Sequence, residues 1–136
     1  MRILVIGAGG VGSAAVGIAD RRAFFEHMVV ADYDPARVDA ALAQVSGDSR
    51  FSGERVDASD VSAIIEMIHE HKVTHVLNAV DPRFVMPIFD GAFAGGADYL
   101  DMAMSLSKPH PDLPYAETGV KLGDEQFELA EQWKGT

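Results

Sequence analysis

Gly7, Gly9 and Gly12 stand in the pattern G-x-G-x-x-G within Gly7-Ala8-Gly9-Gly10-Val11-Gly12. The pattern follows an apolar, β-branched run, Arg2 to Ile6, and opens a small-residue segment, Gly10 to Asp20, that reads as a helix. In that setting each glycine has a physical task. Gly7 permits the tight turn, Gly9 lets the backbone approach a diphosphate, and Gly12 lets helix and strand pack closely. The first helical residues, Gly10 and Val11, bring unpaired N–H groups and the positive end of the helix dipole. The chemistry this suits is the binding of a dinucleotide. The competing reading is a tight strand-to-helix turn with no ligand.

Other candidates sit where strands end. Asp32 closes the second strand, about 20 residues after Gly12, where a carboxylate can accept from both hydroxyls of an adenosine ribose. Taken alone it favours NAD over NADP, because it would repel a 2′-phosphate. Arg37 could reach such a phosphate, but a solvated helix face is the favoured reading of it. Asp57 and Ala58 end the third strand, beside the expected adenine; a helix-start aspartate is the alternative for Asp57. Asn78 and Val80 end the fourth strand and lie along the cofactor by the rule that ligands gather at the carboxyl ends of strands. Asp81 precedes Pro82 and reads as an N-cap. Asp101 ends the fifth strand near the expected nicotinamide pocket and is a candidate substrate contact, or else a loop-start carboxylate.

The elements that must position these residues alternate. Strands are expected at Arg2–Ile6, His27–Ala31, Phe51–Val56, Val73–Ala79 and Asp98–Met102. Between them lie helices with apolar stripes: Val38, Ala41, Leu42 and Val45 after the cap Asp34-Pro35; Val61, Ile64, Ile65 and Ile68 after Ser59 or Asp60; and Val85, Ile88, Phe89 and Ala92 within Asp81–Ala94. Pro87 fits there only in a first turn or at a kink. Gly95-Gly96 stops that helix. Strands separated by amphipathic helices give an α/β fold, a doubly wound parallel sheet of the Rossmann kind. Ser105 to Pro114 reads as a loop and Gly123 to Trp133 as a last helix. The Phe127, Leu129, Ala130 and Trp133 face of that helix is expected to lack a partner and to drive self-association into a homo-oligomer.

Composition removes several function classes. The chain has 136 residues, the size of one domain, and 48% apolar residues. With 11 Lys and Arg against 21 Asp and Glu, its formal charge is −10, which disfavours nucleic acid as a partner. An anionic cofactor must then be held by local backbone dipoles rather than by a basic field. No apolar stretch is long enough for a membrane span. The start of the chain lacks a cleavage site of signal-peptide type. Cysteine is absent, so there are no disulfides, thiolate metal sites or cysteine nucleophiles. These features suit a cytoplasmic protein.

Several chemical signatures fail. Tyr33, Tyr99 and Tyr115 are followed four residues later by Arg37, Ala103 and Gly119, so no Tyr-x-x-x-Lys pair exists. There is no P-loop and no G-x-S-x-G elbow. His69 and His71 point to different faces of a helix end and read as exposed polar residues rather than metal ligands. No metal site is expected.

The segments Ile3 to Gly12, Val30 to Asp34, Val56 to Asp60, Val76 to Pro82 and, most tellingly, Gly95-Gly96-Ala97-Asp98-Tyr99-Leu100-Asp101 resemble the cofactor-binding domain of the saccharopine dehydrogenase family. The resemblance covers nearly the whole chain. It implies an NAD(P)-binding Rossmann domain at 1–136, the N-terminal part of a longer two-domain oxidoreductase. A hydride would pass between nicotinamide and an imine or secondary amine of an amino-acid derivative. The fragment alone would bind cofactor without turnover, and no catalytic residue is identified. The family is often NADP-linked, which opposes the local reading of Asp32, so NAD or NADP stays open. The alternatives are a stand-alone NAD(H)-sensing module, as in potassium-channel regulation, and methyl transfer from S-adenosylmethionine.

Overall fold

β-branched and apolar runs bury both faces of a strand only when helices cover both sides of the sheet, and that is the arrangement in the computed structural model, which describes residues 1–45 and 47–134. The strands are β1 (Arg2–Ile6), β2 (His27–Asp32), β3 (Phe51–Arg55), β4 (His75–Asn78) and β5 (Asp98–Asp101). They form one parallel sheet in the order β3-β2-β1-β4-β5, the doubly wound topology. The helices are α1 (Gly10–Ala19), α2 (Pro35–Leu42), α3 (Val61–His71), α4 (Val85–Gly95), α5 (Asp124–Glu128) and α6 (Ala130–Trp133). Ser46, Gly135 and Thr136 lie outside the described residues.

Alternation along β1 sends Val5 to one face and Leu4 and Ile6 to the other. Val5 packs with Val16 of α1, Val38 and Ala41 of α2, and Met28 and Val30 of β2. Leu4 and Ile6 pack with Ile64 and Ile68 of α3, Ile88 and Ala92 of α4, and Val29 and Val76. Full burial of each such aliphatic side chain contributes about 1.5–3 kcal/mol. Asp34 and Asp60 cap α2 and α3, accepting from Ala36 N (3.0 Å) and Ala63 N (3.0 Å).

The boundaries differ from expectation at a few points. The fourth strand is shorter than Val73–Ala79, because Val73 N–H closes α3 on the Ile68 carbonyl (2.9 Å) and Lys72 takes the left-handed conformation, φ 52°. The third and fifth strands stop one residue early, at Arg55 and Asp101. The segment 81–94 divides into a 3-10 turn, Pro82–Phe84, capped by Asp81, followed by α4 with Pro87 in its first turn. The tail helix breaks at Leu129, where the bonding tightens to Leu129 N–H on the Gln126 carbonyl. Trp133 is not left bare: its ring lies 4.9 Å from Phe89 and 5.2 Å from Phe93, centroid to centroid, on α4 of the same chain. Phe127 remains exposed.

His71 is not the exposed residue expected. Its ring stacks on His27 (6.4 Å, 5° between planes) and its Nε2 lies 3.2 Å from Glu54 Oε1. Burial pushes the His27 imidazole below its ordinary range, and Arg2 and His71 push it the same way. A folded His27 therefore stays neutral while the unfolded one, with a pKa of about 6.5, takes up a proton. The unfolded state then binds more protons, so this contribution is present above about pH 6.5 and is lost as pH falls through the lowered value. Urea midpoints are expected to decline between pH 7.5 and pH 5, and to decline less in His27→Gln.

Helices α3 and α4 meet across small residues. A Cβ on Gly91 would lie 2.8 Å from Ile64 Cγ2 and 3.1 Å from its Cβ, so close that the branched Ile64 side chain or the helix must shift. Alanine is favoured over glycine in a helix by about 1 kcal/mol, but overpacking costs about 1–3 kcal/mol. Gly91→Ala is therefore expected to lower the unfolding free energy by about 1 kcal/mol in urea denaturation.

Candidate functional site

The carboxyl ends of β1, β2, β3 and β4 open on a crevice of about 560 Å³, whose walls include Gly7, Gly9, Asp32, Asp57, Ala58 and Val80. The glycine turn is pinned to both neighbouring strands. Gly7 N–H donates to the Ala31 carbonyl (2.7 Å) and Ala79 N–H donates to the Ile6 carbonyl (2.8 Å). Gly7 has φ 106°, and a Cβ there would lie 2.7 Å from the Ala79 oxygen. A Cβ on Gly12 would lie 1.7 Å from the Gly7 oxygen. Around Gly9 and Gly10, by contrast, a Cβ would meet nothing within 4 Å. Gly9 is the N-cap of α1, and no side chain caps that helix. Gly10 and Val11 begin it and are exposed. Gly7 and Gly12 of the motif are thus required by the fold, while Gly9, and Gly10 after it, stand open at the start of a helix.

Asp32 is almost wholly buried. Its Oδ2 accepts from Ala8 N–H (2.8 Å) and its Oδ1 from Asp34 N–H (2.9 Å). The carboxylate holds the glycine turn and the β2–α2 corner together, a task beyond the ribose contact expected of it. Each of its oxygens keeps further lone-pair capacity. Asp57 Oδ1 accepts from the Ser59 N–H (2.9 Å) and hydroxyl (2.6 Å), and these bonds hold the carboxyl below its usual range. Asp57 therefore closes the turn that precedes α3, whose cap is Asp60, and it also lines the crevice.

Asn78 is brought close to the crevice but does not line it. It is 2% exposed, its Oδ1 accepts from Val80 N–H (3.1 Å), and its Nδ2 donates to the Tyr99 hydroxyl (2.9 Å). Tyr99 in turn donates to Asp101 Oδ2 (2.9 Å), which also accepts from Gln126 Nε2 (2.9 Å). Burial pushes the Tyr99 phenol well above its ordinary range, and Asp101 adds to the rise, while the bond from Asn78 works against it. Asn78 and Asp101 are thus tied through Tyr99 into a relay that sets the Val80 turn. Spacing could not reveal it, because Gln126 is distant in sequence from Asn78 and Asp101.

Beyond Asp32 a further hollow of about 540 Å³ is lined by Tyr33, Asp34, Arg37 and Arg55. The Arg55 guanidinium sits 4.8 Å from the Tyr33 ring centroid, and its Nε donates to the Tyr33 carbonyl (3.3 Å). Arg37 Nε lies 3.9 Å from Asp34 Oδ2. Arg55 carried no motif and was not expected. Among the described residues no group of His, Asp and Glu could hold a metal, and no helix is long and apolar enough to cross a membrane.

Residues 3–136 match the model of the saccharopine dehydrogenase NADP-binding domain. A carboxyaminopropylagmatine dehydrogenase of Synechocystis is 26% identical over 102 residues, 75% of this chain and 25% of that protein. A carboxynorspermidine synthase of Vibrio cholerae is 26% identical over 114 residues, 78% of this chain and 28% of that protein. The chain thus spans about a quarter of the length of these relatives. In structure, an apo saccharopine dehydrogenase (L-Glu forming) of Saccharomyces cerevisiae superposes with a TM-score of 0.63 at 16% identity, over 81% of this chain and 22% of that one.

An amide at position 32 keeps one acceptor oxygen and turns an NH2 towards a backbone donor. Asp32→Asn is therefore expected to cost about 1–3 kcal/mol of stability, the cost of an unpaired buried donor, read by thermal or urea unfolding without ligand.

Proposed function

The chain belongs to the saccharopine dehydrogenase NADP-binding domain family, and on that premise we propose that it is the cofactor-holding part of an oxidoreductase acting on an amino-acid-derived secondary amine or imine. Its cofactor is NAD or NADP. When bound, the nicotinamide supplies or accepts the hydride; the chain's own residues hold and aim it.

The observation that carries the reading is the uncapped start of α1, with open space around Gly9 and Gly10 and with Gly9 bordering a crevice of about 560 Å³. In this reading the N–H groups of the first turn, from Gly10, Val11 and Gly12, take the diphosphate. A remaining lone pair of Asp32 takes the 3′-hydroxyl of the adenosine ribose. Asp57 and the Ala58 backbone face the adenine, and Val80, fixed by Asn78, runs along the nicotinamide half. Arg55 and Arg37 supply the positive wall for a 2′-phosphate, so NADP is the proposed partner. The carboxylate of Asp32 opposes this less than its position suggests, because both oxygens already face backbone N–H groups. The names of the two curated relatives, both carboxylated amines, support a substrate carrying a carboxylate and an amine. The substrate itself would be completed by chain outside this domain.

The test is calorimetric titration with NADPH and NADH. The parent is expected to bind NADPH more tightly. Arg55→Ala is expected to weaken NADPH by about tenfold, the loss of a charge-assisted contact, and to leave NADH unchanged. Gly9→Val separates binding from folding: its side chain fits the free protein, so Tm should hold, yet it fills the space the diphosphate needs. A folded Gly9→Val chain that binds NADPH like the parent would overturn the assignment.

A further inference from the structure

Two backbone N–H groups stand at the ends of a single line of hydrogen bonds. Val80 N–H donates to Asn78 Oδ1 (3.1 Å), and Ser105 N–H donates to Gln126 Oε1 (2.8 Å). A backbone N–H can only donate, so each end fixes which way its side-chain amide points. Asn78 must turn its Nδ2 to the Tyr99 hydroxyl (2.9 Å), and Gln126 must turn its Nε2 to Asp101 Oδ2 (2.9 Å). Tyr99, having accepted from Asn78, gives its own proton to Asp101 Oδ2 (2.9 Å). The two halves thus meet on one carboxylate oxygen. No link can be reversed without setting two donors or two acceptors face to face.

The line runs from the tail to the crevice. Gly123 N–H on the Ser105 carbonyl (2.9 Å) holds the tail end. In the middle, the Tyr99 ring stands edge-on to Phe89 of α4, 5.2 Å between centroids. The other end is the turn at Val80, which borders the crevice and lies against the glycine turn: a Cβ on Gly7 would meet Val80 Cγ1 at 2.7 Å. A local turn at Val80 needs Asn78 alone. Here the asparagine is buried and is itself held by three further side chains, the last of them on α5. Bonds in such a line polarise and stiffen one another.

We propose that Asp101 and Gln126 are positioning residues for the nicotinamide half of the cofactor, acting on Val80 through Tyr99 and Asn78. The proposal rests on the cofactor reading above and deepens it. Neither Asp101 nor Gln126 borders the crevice, so their effect reaches a bound dinucleotide only along the line. The adenine half, at the ends of β2 and β3, lies outside it. The tail after β5 thereby becomes part of what aims the nicotinamide.

The test uses ligands in pairs: NADPH with adenosine 2′,5′-bisphosphate, and NADH with ADP. Each pair shares its adenine half, and only the dinucleotide carries nicotinamide. In calorimetry, Gln126→Ala and Tyr99→Phe are each expected to weaken the dinucleotide that the parent binds more tightly by about fivefold, the size of a coupling through a contact network. Its adenine-half partner should stay within about twofold. The double variant should bind no more weakly than Tyr99→Phe, because both changes cut one line. Emission of the reduced nicotinamide at saturation, which reports how firmly the ring is held, should fall in both variants. Gln126→Glu keeps the shape and the Ser105 bond but sets two carboxylates against each other, and should show the same loss. Lys108→Gln breaks the Lys108–Glu125 pair of the tail without touching the line and should behave like the parent; Tm without ligand checks that each variant is folded. Unchanged dinucleotide binding in both Gln126 variants, equal losses for dinucleotide and adenine half, or losses that add in the double variant would each overturn the positioning role. A parent that binds neither dinucleotide would instead overturn the cofactor reading, and this role with it.

Discussion

The backbone of β1 turns into α1 so tightly that the Gly7 carbonyl occupies the place where a side chain at position 12 would begin. Most of the site follows from that contact. It places the start of α1 over the carboxyl edge of the sheet, between β2 and β4, where Gly7 and Ala79 bond to the neighbouring strands. It also sets Ala8 against Asp32, so the acidic residue at the end of β2 becomes a strut of the turn. Substitution at Gly12 would move the helix, and with it the strand ends that face the crevice.

Local signals were legible in the sequence because they act over a few residues. Asp34 and Asp60 cap the helices expected of them, Pro87 sits in a first turn, and Gly96 closes α4 with φ 73°. Apolar stripes identified Val38 and Ala41 of α2, Ile64 and Ile68 of α3, and Val85, Ile88, Phe89 and Ala92 of α4 as buried, because each helix meets the sheet along one face. The α3 stripe, however, named the half-buried Val61 and Ile65 and passed over the buried Met67. Lys72 was not legible, since nothing in its side chain announces a left-handed conformation. Arg50 was equally hidden. It reaches back to the carbonyls of Asp20 and Arg22 (3.1 and 2.5 Å), closing the end of α1 from the start of β3. The relay from Asn78 through Tyr99 and Asp101 to Gln126 joins three elements, and only the folded chain puts them together.

The acidic balance of the chain and its anion-binding reading are compatible because charge acts locally here. At physiological salt, exposed charges are screened over about 8 Å. Each arginine in or near the crevice is held close to its own acid or carbonyl: Arg37 to Asp34, Arg83 to Asp81, and Arg55 to the Tyr33 carbonyl. The net charge of −10 therefore governs behaviour in bulk solution, while a few backbone N–H groups and paired cations govern what the sheet edge can hold.

The bare start of α1 also has a thermodynamic side. A helix whose first turn no side chain satisfies is incomplete as a piece of secondary structure, and an anion that settles there finishes it. Binding and folding then draw on the same free energy. A ligand present at 100 times its dissociation constant adds about 2.7 kcal/mol to the folded state, as much as a well-buried aliphatic side chain. The lifetime of such a domain against unfolding and proteolysis would then rise and fall with the concentration of whatever anion the uncapped turn holds.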